Sequence, residues 1–305
     1  MDKDSLQVSI IVVNYNTLQL TEECIDSVFD KTKGITFEVI LIDNRSTDGS
    51  KEHFQNDKRI KYIYSFENMG FGRANNIGMM LAKGEYLFLL NSDTILLNNS
   101  VKYFYEYAKN HDNDKICNFY GSWLLDKNKQ ITLSYGIEPT IRTMLQRACL
   151  PYLIVLGIIK HQKFEHVENP NYGKTAEVGY VSGADIFVNA KLVSEFGAFD
   201  HNFFMYYEEA EWQKRLKPYG VKSYIIEGPQ IIHLHSGSDS TKKSKHDSIN
   251  SMIMMHRSRK YFLRKYYSKF KRFIFFFIYA VLETPVLLFL PYYTINNKIK
   301  LIFKR

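Results

Sequence analysis

Residues 8–17 read VSIIVVNYNT, a β-branched apolar run that stops abruptly at Asn, Tyr and Thr. A run without polar alternation is the mark of a strand buried on both faces. The form recurs in FEVILID (37–43), IKYIYS (60–65) and EYLFLLNSD (85–93). The segments between have helical character. Thr17 is placed to cap a helix running to about Lys31, with Thr21, Cys24, Ile25 and Val28 on one face. NRSTDGS (44–50) is a polar turn whose Thr47 or Asp48 can cap a short helix. NMGFGRANNIGMMLAKG (68–84) is a glycine-rich loop followed by a helix that Gly84 closes. Strand and helix in alternation predict an α/β fold built on a parallel sheet. Ligands of such sheets bind outside the carboxyl ends of the strands. Here those ends are Asn14–Thr17, Asp43–Ser46, Glu67–Arg73 and Asn91–Asp93, all rich in Asn, Asp, Ser, Thr or Gly.

The pattern is less regular over residues 94–175, where KYFYEYAK and TMLQRACLPYLIVLGIIK read as apolar helices. Residues 177–200 return to strand then helix, and 221–238 read as a strand pair ending in a histidine-bearing loop. No internal repeat or low-complexity linker interrupts the chain.

With 305 residues, 45% apolar and 15% aromatic, the chain can bury a substantial core, which excludes a mainly disordered protein. Cys24, Cys117 and Cys149 form no CxxC, which suits a reduced cytoplasm and excludes a disulfide framework. The opening MDKDSLQVSIIVV lacks the basic start of a signal peptide. The net charge of +8 hides an asymmetry: residues 241–305 hold 15 Lys/Arg against 2 Asp/Glu, leaving 25 against 30 in residues 1–240. A tail this basic expects an acidic partner. Its aliphatic and aromatic content, FIFFFIYAVL at 273–282 and VLLFL at 286–290, fits an anionic membrane surface better than nucleic acid.

Several residues carry candidate chemistry. Asp93 directly follows a buried strand; it is either a turn residue or a ligand holding Mg²⁺ or Mn²⁺ on a diphosphate. Asp43 either closes its turn or accepts a hydrogen bond from a nucleobase. Gly70, Gly72 and Gly78 lack the dinucleotide-binding spacing, and Arg73 among them is either a phosphate partner or a solvated helix residue. His233 and His235 share a strand face; either both are ordinary, or one completes a metal site begun by Asp93. In HNFFMYYEEAEWQKR (201–215), Glu208 and Glu209 are either the acidic first turn of a helix or a catalytic base with its neighbour. Glu211 and Arg215 are spaced for a helical ion pair, and Phe203 to Tyr207 divide between core and pocket wall.

Taken in order, VSIIVVNYNT, LIDNRSTDGS, ENMGFGRANNIGMMLAKGEYLFLLNSDT, VSGADIFV, GAFDHNFFMYYEEAEWQKRL and HLHSGS resemble the family 2 glycosyltransferases of GT-A fold, and especially their rhamnosyltransferase-like branch. The resemblance covers about residues 8–240. It implies a mixed, mostly parallel central sheet flanked by helices. The nucleotide-sugar-binding half is residues 1–100, the acceptor and catalytic half 101–240, and 241–305 a basic, hydrophobic membrane-associating extension. It implies that Asp43 or Asn44 reads the nucleobase, within a donor site drawn from Asn14, Thr17, Asn68, Gly70, Arg73 and Asn91. Asp93 then holds the metal in NSD, where Asn91 replaces a first Asp, and His233 joins it. Glu209 becomes the base and Glu208 its neighbour, with either glutamate open for the role because the family's second residue is Asp.

The implied activity is inverting, metal-dependent transfer from a nucleotide-diphosphate sugar, dTDP-L-rhamnose by branch, to a lipid-linked saccharide. That places the enzyme at the cytoplasmic face of the cell membrane, in O-antigen or capsule assembly. UDP-galactofuranose, UDP-hexose and UDP-N-acetylhexosamine donors stay open, as do a non-catalytic glycan- or nucleotide-binding homologue, a membrane scaffold and a homo-oligomer. For 273–293, Glu283-Thr284-Pro285 divides the run, so helices lying in the membrane interface are expected over a packed hairpin or a span. The stretch TKKSKHDS (241–248) has a second reading as a flap over the donor diphosphate.

Overall fold

In the computed structural model, residues 6–113, 116–155, 173–234 and 245–289 are described. They fall into two compact units.

The first unit comprises residues up to Gly136, Asn171–Phe204 and Glu208–Ser236. Its strands β1 (Val8–Asn14), β2 (Phe37–Asp43), β3 (Lys61–Tyr64) and β4 (Tyr86–Asn91) form one parallel half of the main sheet. They alternate with helices α1 (Leu18–Lys31), α2 (Ser50–Phe54) and α3 (Phe71–Leu81). After β5 (Thr94–Leu96) and α4 (Ser100–His111), the chain adds β6 (Phe119–Ser122) and β7 (Tyr135–Gly136). Strands β8 (Ala176–Glu177), β9 (Tyr180–Val181), β10 (Asp185–Asn189), β11 (Ser223–Ile226) and β12 (Ile231–His233) follow, with α6 (Ala190–Phe196) and α7 (Glu208–Leu216) among them. The eight-stranded order is β3-β2-β1-β4-β10-β6-β11-β8. β10 runs antiparallel to β4 and β6, while β11 is parallel to β6. The expected α/β architecture with a mixed, mostly parallel sheet is what forms.

Period-two alternation of side chains sends each buried strand into two cores. Ile10 and Val12 pack with Cys24, Ile25 and Val28 of α1 and Val101, Phe104 and Ala108 of α4. Ile11, Ile40 and Leu89 face the opposite way, toward Ala74 and Met79 of α3 and Trp212 and Leu216 of α7. Both faces are packed, which is why these strands read as largely apolar runs; the buried Ser9 is accommodated by bonds to Glu38 and the Gly84 N–H.

Register lines up the strand ends. Asn14 sits opposite Asp43, Asp43 opposite Tyr64, and Val13 opposite Asn91. β2 and β3 extend to one side of β1 and β4 to the other. The order therefore reverses between β1 and β4, the switch point at which open α/β sheets leave a crevice.

Several local expectations are corrected. Thr17 occupies the N-cap position of α1 but makes no capping hydrogen bond; Asp48 Oδ2 instead accepts from the Leu18 N–H at 2.8 Å. Gly49 holds the N-cap position of α2, and Asp48 just before it supplies the cap, its Oδ1 accepting from the Ser50 N–H at 3.2 Å. α3 ends at Ala82 in extended conformation, and Gly84 is not its cap. A Cβ at Gly84 would stand 2.6 Å from the Val8 carbonyl carbon, so its glycine serves close strand packing. β11 and β12 do not pair with each other: β11 joins the main sheet and β12 pairs with β5.

The second unit comprises Ile137–Pro170, Met205–Tyr207 and Gly237–Arg305. It contains α5 (Ile141–Val155), α8 (Lys245–Tyr266) and α9 (Lys269–Phe289), with α9 packing on α5 and α8. Met205 is tied to α8 by a hydrogen bond from Ser258 Oγ to its carbonyl at 2.7 Å. Tyr206 and Tyr207 take φ of 71° and 70°, a region costly for bulky residues. α9 runs unbroken through Glu283-Thr284-Pro285, against the expected division of that run. Among the described residues no helix is long and apolar enough to cross a membrane. The flap reading for residues 241–244, His235, and the end of the 273–293 run lie outside the described residues.

Candidate active site

At the switch point between β1 and β4 a hydrogen-bond network ties the strand ends together. The Asn14 side-chain oxygen accepts from the Thr17 hydroxyl at 2.8 Å and the Thr21 hydroxyl at 3.0 Å, and its Nδ2 donates to Ser46 Oγ at 3.1 Å. Thr17 Oγ1 and Ser92 Oγ share a hydrogen bond at 3.1 Å. That bond links the loop after β1 to the NSD turn after β4. Three backbone elements are thus locked at their ligand-facing ends by one amide. Ser46 and Ser92 were not singled out in the sequence; their only signal was membership of polar turns at strand ends.

Asp93 and His233 come together as expected, with Asp93 Oδ1 3.2 Å from His233 Nε2 and both side chains largely buried. The cause is the β5–β12 pairing, which sets His233 opposite Thr94. The Leu234 N–H donates to the Asp93 carbonyl at 2.9 Å and reinforces it. Asn91 Nδ2 lies 3.5 Å from the same imidazole nitrogen. One carboxylate and one imidazole converging at this range suit a divalent cation. Among the described residues no cluster of three or more His, Cys, Asp or Glu forms a full metal cage. A hard cation takes six or more ligands, so Asp93 and His233 fit a site that oxygens of a bound diphosphate and water would complete.

A second group of residues surrounds the glycine-rich loop. Asn44 Nδ2 donates to Asn68 Oδ1 at 3.0 Å and to the Gly70 carbonyl at 3.3 Å, while its own Oδ1 accepts from the Met69 N–H at 2.9 Å. Gly70 has φ 83° and ψ 176°, and a Cβ there would overlap the Phe204 carbonyl oxygen. α3 is then stitched to the segment leading to α7. Phe71 N–H donates to the Phe204 carbonyl at 2.9 Å, and Arg73 Nε to the His201 carbonyl at 2.6 Å. Asn76 and Phe199 exchange two bonds, at 2.9 and 3.1 Å. Arg73 is exposed and its Nε is engaged in this stitching.

Glu208 and Glu209 open α7. Glu208 is buried, its Cβ 3.7 Å from where a Gly72 Cβ would stand, so the acidic pair begins beside the glycine loop. Burial pushes the Glu209 carboxyl above the ordinary carboxylate range. Glu211 is fully buried and pairs with Arg215 at 3.4 Å. Arg215 also donates to the carbonyls of Phe196 and Ala198, both at 2.6 Å, which anchors α7. Phe203 is core and Phe204 is exposed.

Asp43 is placed differently from a surface reader. It has no exposed area; its Oδ1 accepts from the Ser46 N–H and its Oδ2 from the Tyr62 hydroxyl, both at 2.7 Å. In this arrangement it braces the turn, and Asn44 is the neighbour that reaches the loop. Asp185, not among the candidate residues of the sequence, stands at the start of β10 opposite Leu90. It is fully buried, with Oδ2 accepting from the Ser122 N–H at 2.7 Å and its hydroxyl at 2.5 Å. Burial raises its carboxyl to about 8. The signal was available: a lone acid heading the apolar strand DIFV.

Comparison with known proteins identifies the family. The model of the family "Glycosyl transferase family 2" matches residues 9–152, from β1 into α5. The chain is 31% identical over 117 residues to the glycosyltransferase GlyG of Streptococcus pneumoniae, covering 37% of this chain and 38% of that protein. It is 31% identical over 121 residues to the poly(ribitol-phosphate) beta-N-acetylglucosaminyltransferase TarP of Staphylococcus aureus, covering 38% and 37%. These matches span well under half of either relative. An uncharacterized glycosyltransferase of Haemophilus influenzae is 30% identical over 172 residues, 52% of this chain and 68% of its own length. Matched over two thirds of that relative and carrying the ordered strand-end motifs, the chain belongs to glycosyl transferase family 2.

Proposed function

We propose that this protein is an inverting glycosyltransferase. It moves a sugar from a nucleotide-diphosphate donor to a hydroxyl of a lipid-linked saccharide in cell-surface polysaccharide synthesis. The observation that carries the reading is the Asp93–His233 pair at the β1/β4 switch point, next in the chain to Ser92 and its bond to the Asn14–Thr17 network. A cation site beside a switch-point crevice is what a nucleotide diphosphate needs.

Asn44, Asn68 and the Gly70 carbonyl would shape the nucleotide end, with the bonded Asp43 holding the turn beneath them. Asp93 and His233 would hold Mg²⁺ or Mn²⁺, which when bound supplies charge neutralisation for a departing diphosphate. Glu209 takes the proton of the acceptor hydroxyl as that oxygen attacks the anomeric carbon. The bond from that carbon to the diphosphate breaks, and the diphosphate leaves with the electron pair from the opposite face, inverting the centre. A carboxylate raised by burial is the stronger base once it is deprotonated. Glu208, buried beside the glycine loop, orients the helix start.

Two donors are favoured by separate observations. The motif order resembles a rhamnosyltransferase branch, which points to dTDP-L-rhamnose. The name of the S. aureus relative points to an N-acetylglucosaminyl donor. The basic segment 241–305 supports work at the cytoplasmic face of the membrane, where a lipid-linked acceptor resides.

A thermal-shift panel of nucleotide diphosphates and their sugars, with and without Mg²⁺ or Mn²⁺, tests the reading. A ligand specific to the folded state raises the melting temperature by mass action. Stabilisation by one nucleotide family that requires the metal is expected, and the sugar giving the largest shift selects between the donors. No response from folded protein to any nucleotide overturns it.

A further inference from the structure

Helix α9 is apolar on two sides. One side is internal to its unit: Phe275 and Tyr279 are buried and stacked at 5.2 Å, and the Arg259 guanidinium of α8 lies 4.2 Å from the Tyr279 ring centre. The other side is exposed. Phe270, Phe273, Ile274, Phe277, Ile278 and Val281 all face solvent, Phe273 and Phe277 at 71% and 65%. Their spacing of three, four, seven, eight and eleven residues is that of one continuous helical stripe. An exposed apolar band of this length is uncommon on a surface without a partner.

Charge identifies the partner. From Ser248 to Leu282 the chain has eight Lys/Arg and no Asp/Glu. Lys269 and Lys271 are exposed in the first turn of α9, at the head of the stripe. A second copy of this face would bring like charges together. An anionic bilayer supplies both hydrocarbon for the stripe and phosphates for the lysines. Because the opposite side of α9 is occupied by its own unit, lipid can reach only one side, so the helix lies along the surface.

We propose that the Phe270–Val281 stripe of α9, headed by Lys269 and Lys271, is a docking face for the surface of an anionic membrane. The proposal gives residues to the membrane reading above and rests on that reading, but not on the transfer chemistry.

The test uses the full chain with sedimented vesicles of phosphatidylcholine, either alone or with about one-third phosphatidylglycerol. Wild type is expected to bind the anionic vesicles, weakly bind the neutral ones, and release as salt is raised. Phe273→Ser/Phe277→Ser should lower partitioning by about tenfold or more, and Lys269→Glu/Lys271→Glu should remove the preference for anionic vesicles. Both variants should keep the melting temperature and the nucleotide-induced shift, which separates this face from the transfer site. Failure of wild type to bind anionic vesicles overturns the proposal. So does undiminished binding by Phe273→Ser/Phe277→Ser. A wild-type dimer in light scattering that this variant makes monomeric, without vesicle binding, assigns the face to a second copy and also overturns it.

Discussion

Replacing Gly70 by alanine should uncouple the glycine loop from the acidic helix. Gly70 sits at φ 83° and ψ 176°, a region essentially reserved for glycine, where another residue costs about 1–3 kcal/mol. Its added Cβ would also overlap the Phe204 carbonyl oxygen and stand 2.8 Å from the carbonyl carbon. Those are backbone atoms and cannot swing aside, so the overlap adds about 1–3 kcal/mol more. A total near 4 kcal/mol is about half the stability of a typical domain, on the order of 5–15 kcal/mol. Gly197 provides an internal control. Its backbone is nearly the same, φ 76° and ψ 167°, but nothing lies within 4 Å of where its Cβ would stand. Gly197→Ala therefore carries the conformational cost without the overlap. Urea unfolding of both variants, fitted with a common slope, should place Gly70→Ala below Gly197→Ala by about 1–3 kcal/mol. Nucleotide-induced stabilisation should weaken only in Gly70→Ala, because the Phe71–Phe204 bond that joins α3 to the α7 approach is displaced. Equal losses in the two variants would refute the argument from close packing.

Other consequences can be checked in parallel. Glu209→Gln should reduce turnover by about 10²–10⁴ while leaving the nucleotide-induced thermal shift in place; a variant with full turnover removes Glu209 as base. Because burial raises the Glu209 carboxyl and the base must be ionised, the acid limb of the rate profile should lie above the ordinary carboxylate range, with rate falling as pH drops through it. Asp93→Asn and His233→Ala should each abolish the metal-dependent part of the nucleotide shift, read by melting with and without Mg²⁺, and leave the metal-independent part. Asp185 predicts a stability effect. Its folded carboxyl titrates at about 8 against 3.8 unfolded, so the neutral form is favoured by the fold. That contribution is whole below 3.8 and is lost as pH rises toward 8, by about 1.4 kcal/mol per pH unit. Asp185→Asn, which cannot ionise, should gain on wild type at that slope in urea titrations from pH 5 to 8; parallel curves would refute the buried acid.

By itself the sequence determined the strands that build the sheet and the end at which ligands gather. VSIIVV, FEVILID and EYLFLL are apolar without alternation because both of their faces are buried, and residue chemistry alone records that. Each run stops where the backbone leaves the core, so Asn14, Asp43 and Asn91 were legible as one set of strand ends before their register was known. The start of α7 at Glu208 was legible for a similar local reason, an acidic first turn. Partnership was not. Residues 221–233 carry two strands, and nothing in their alternation says that β11 belongs in the main sheet while β12 crosses to β5 and carries His233 to Asp93. Burial of an individual polar group was equally hidden: Asp43 and Asp185 both follow or head strands, yet both are sealed inside by Tyr62, Ser46 and Ser122. Local pattern fixes which side of an element is apolar, because it depends on neighbours a few residues away. Tertiary structure decides which distant group meets that side, because such contacts depend on chain paths separated by up to 142 residues, as for Asn91 and His233.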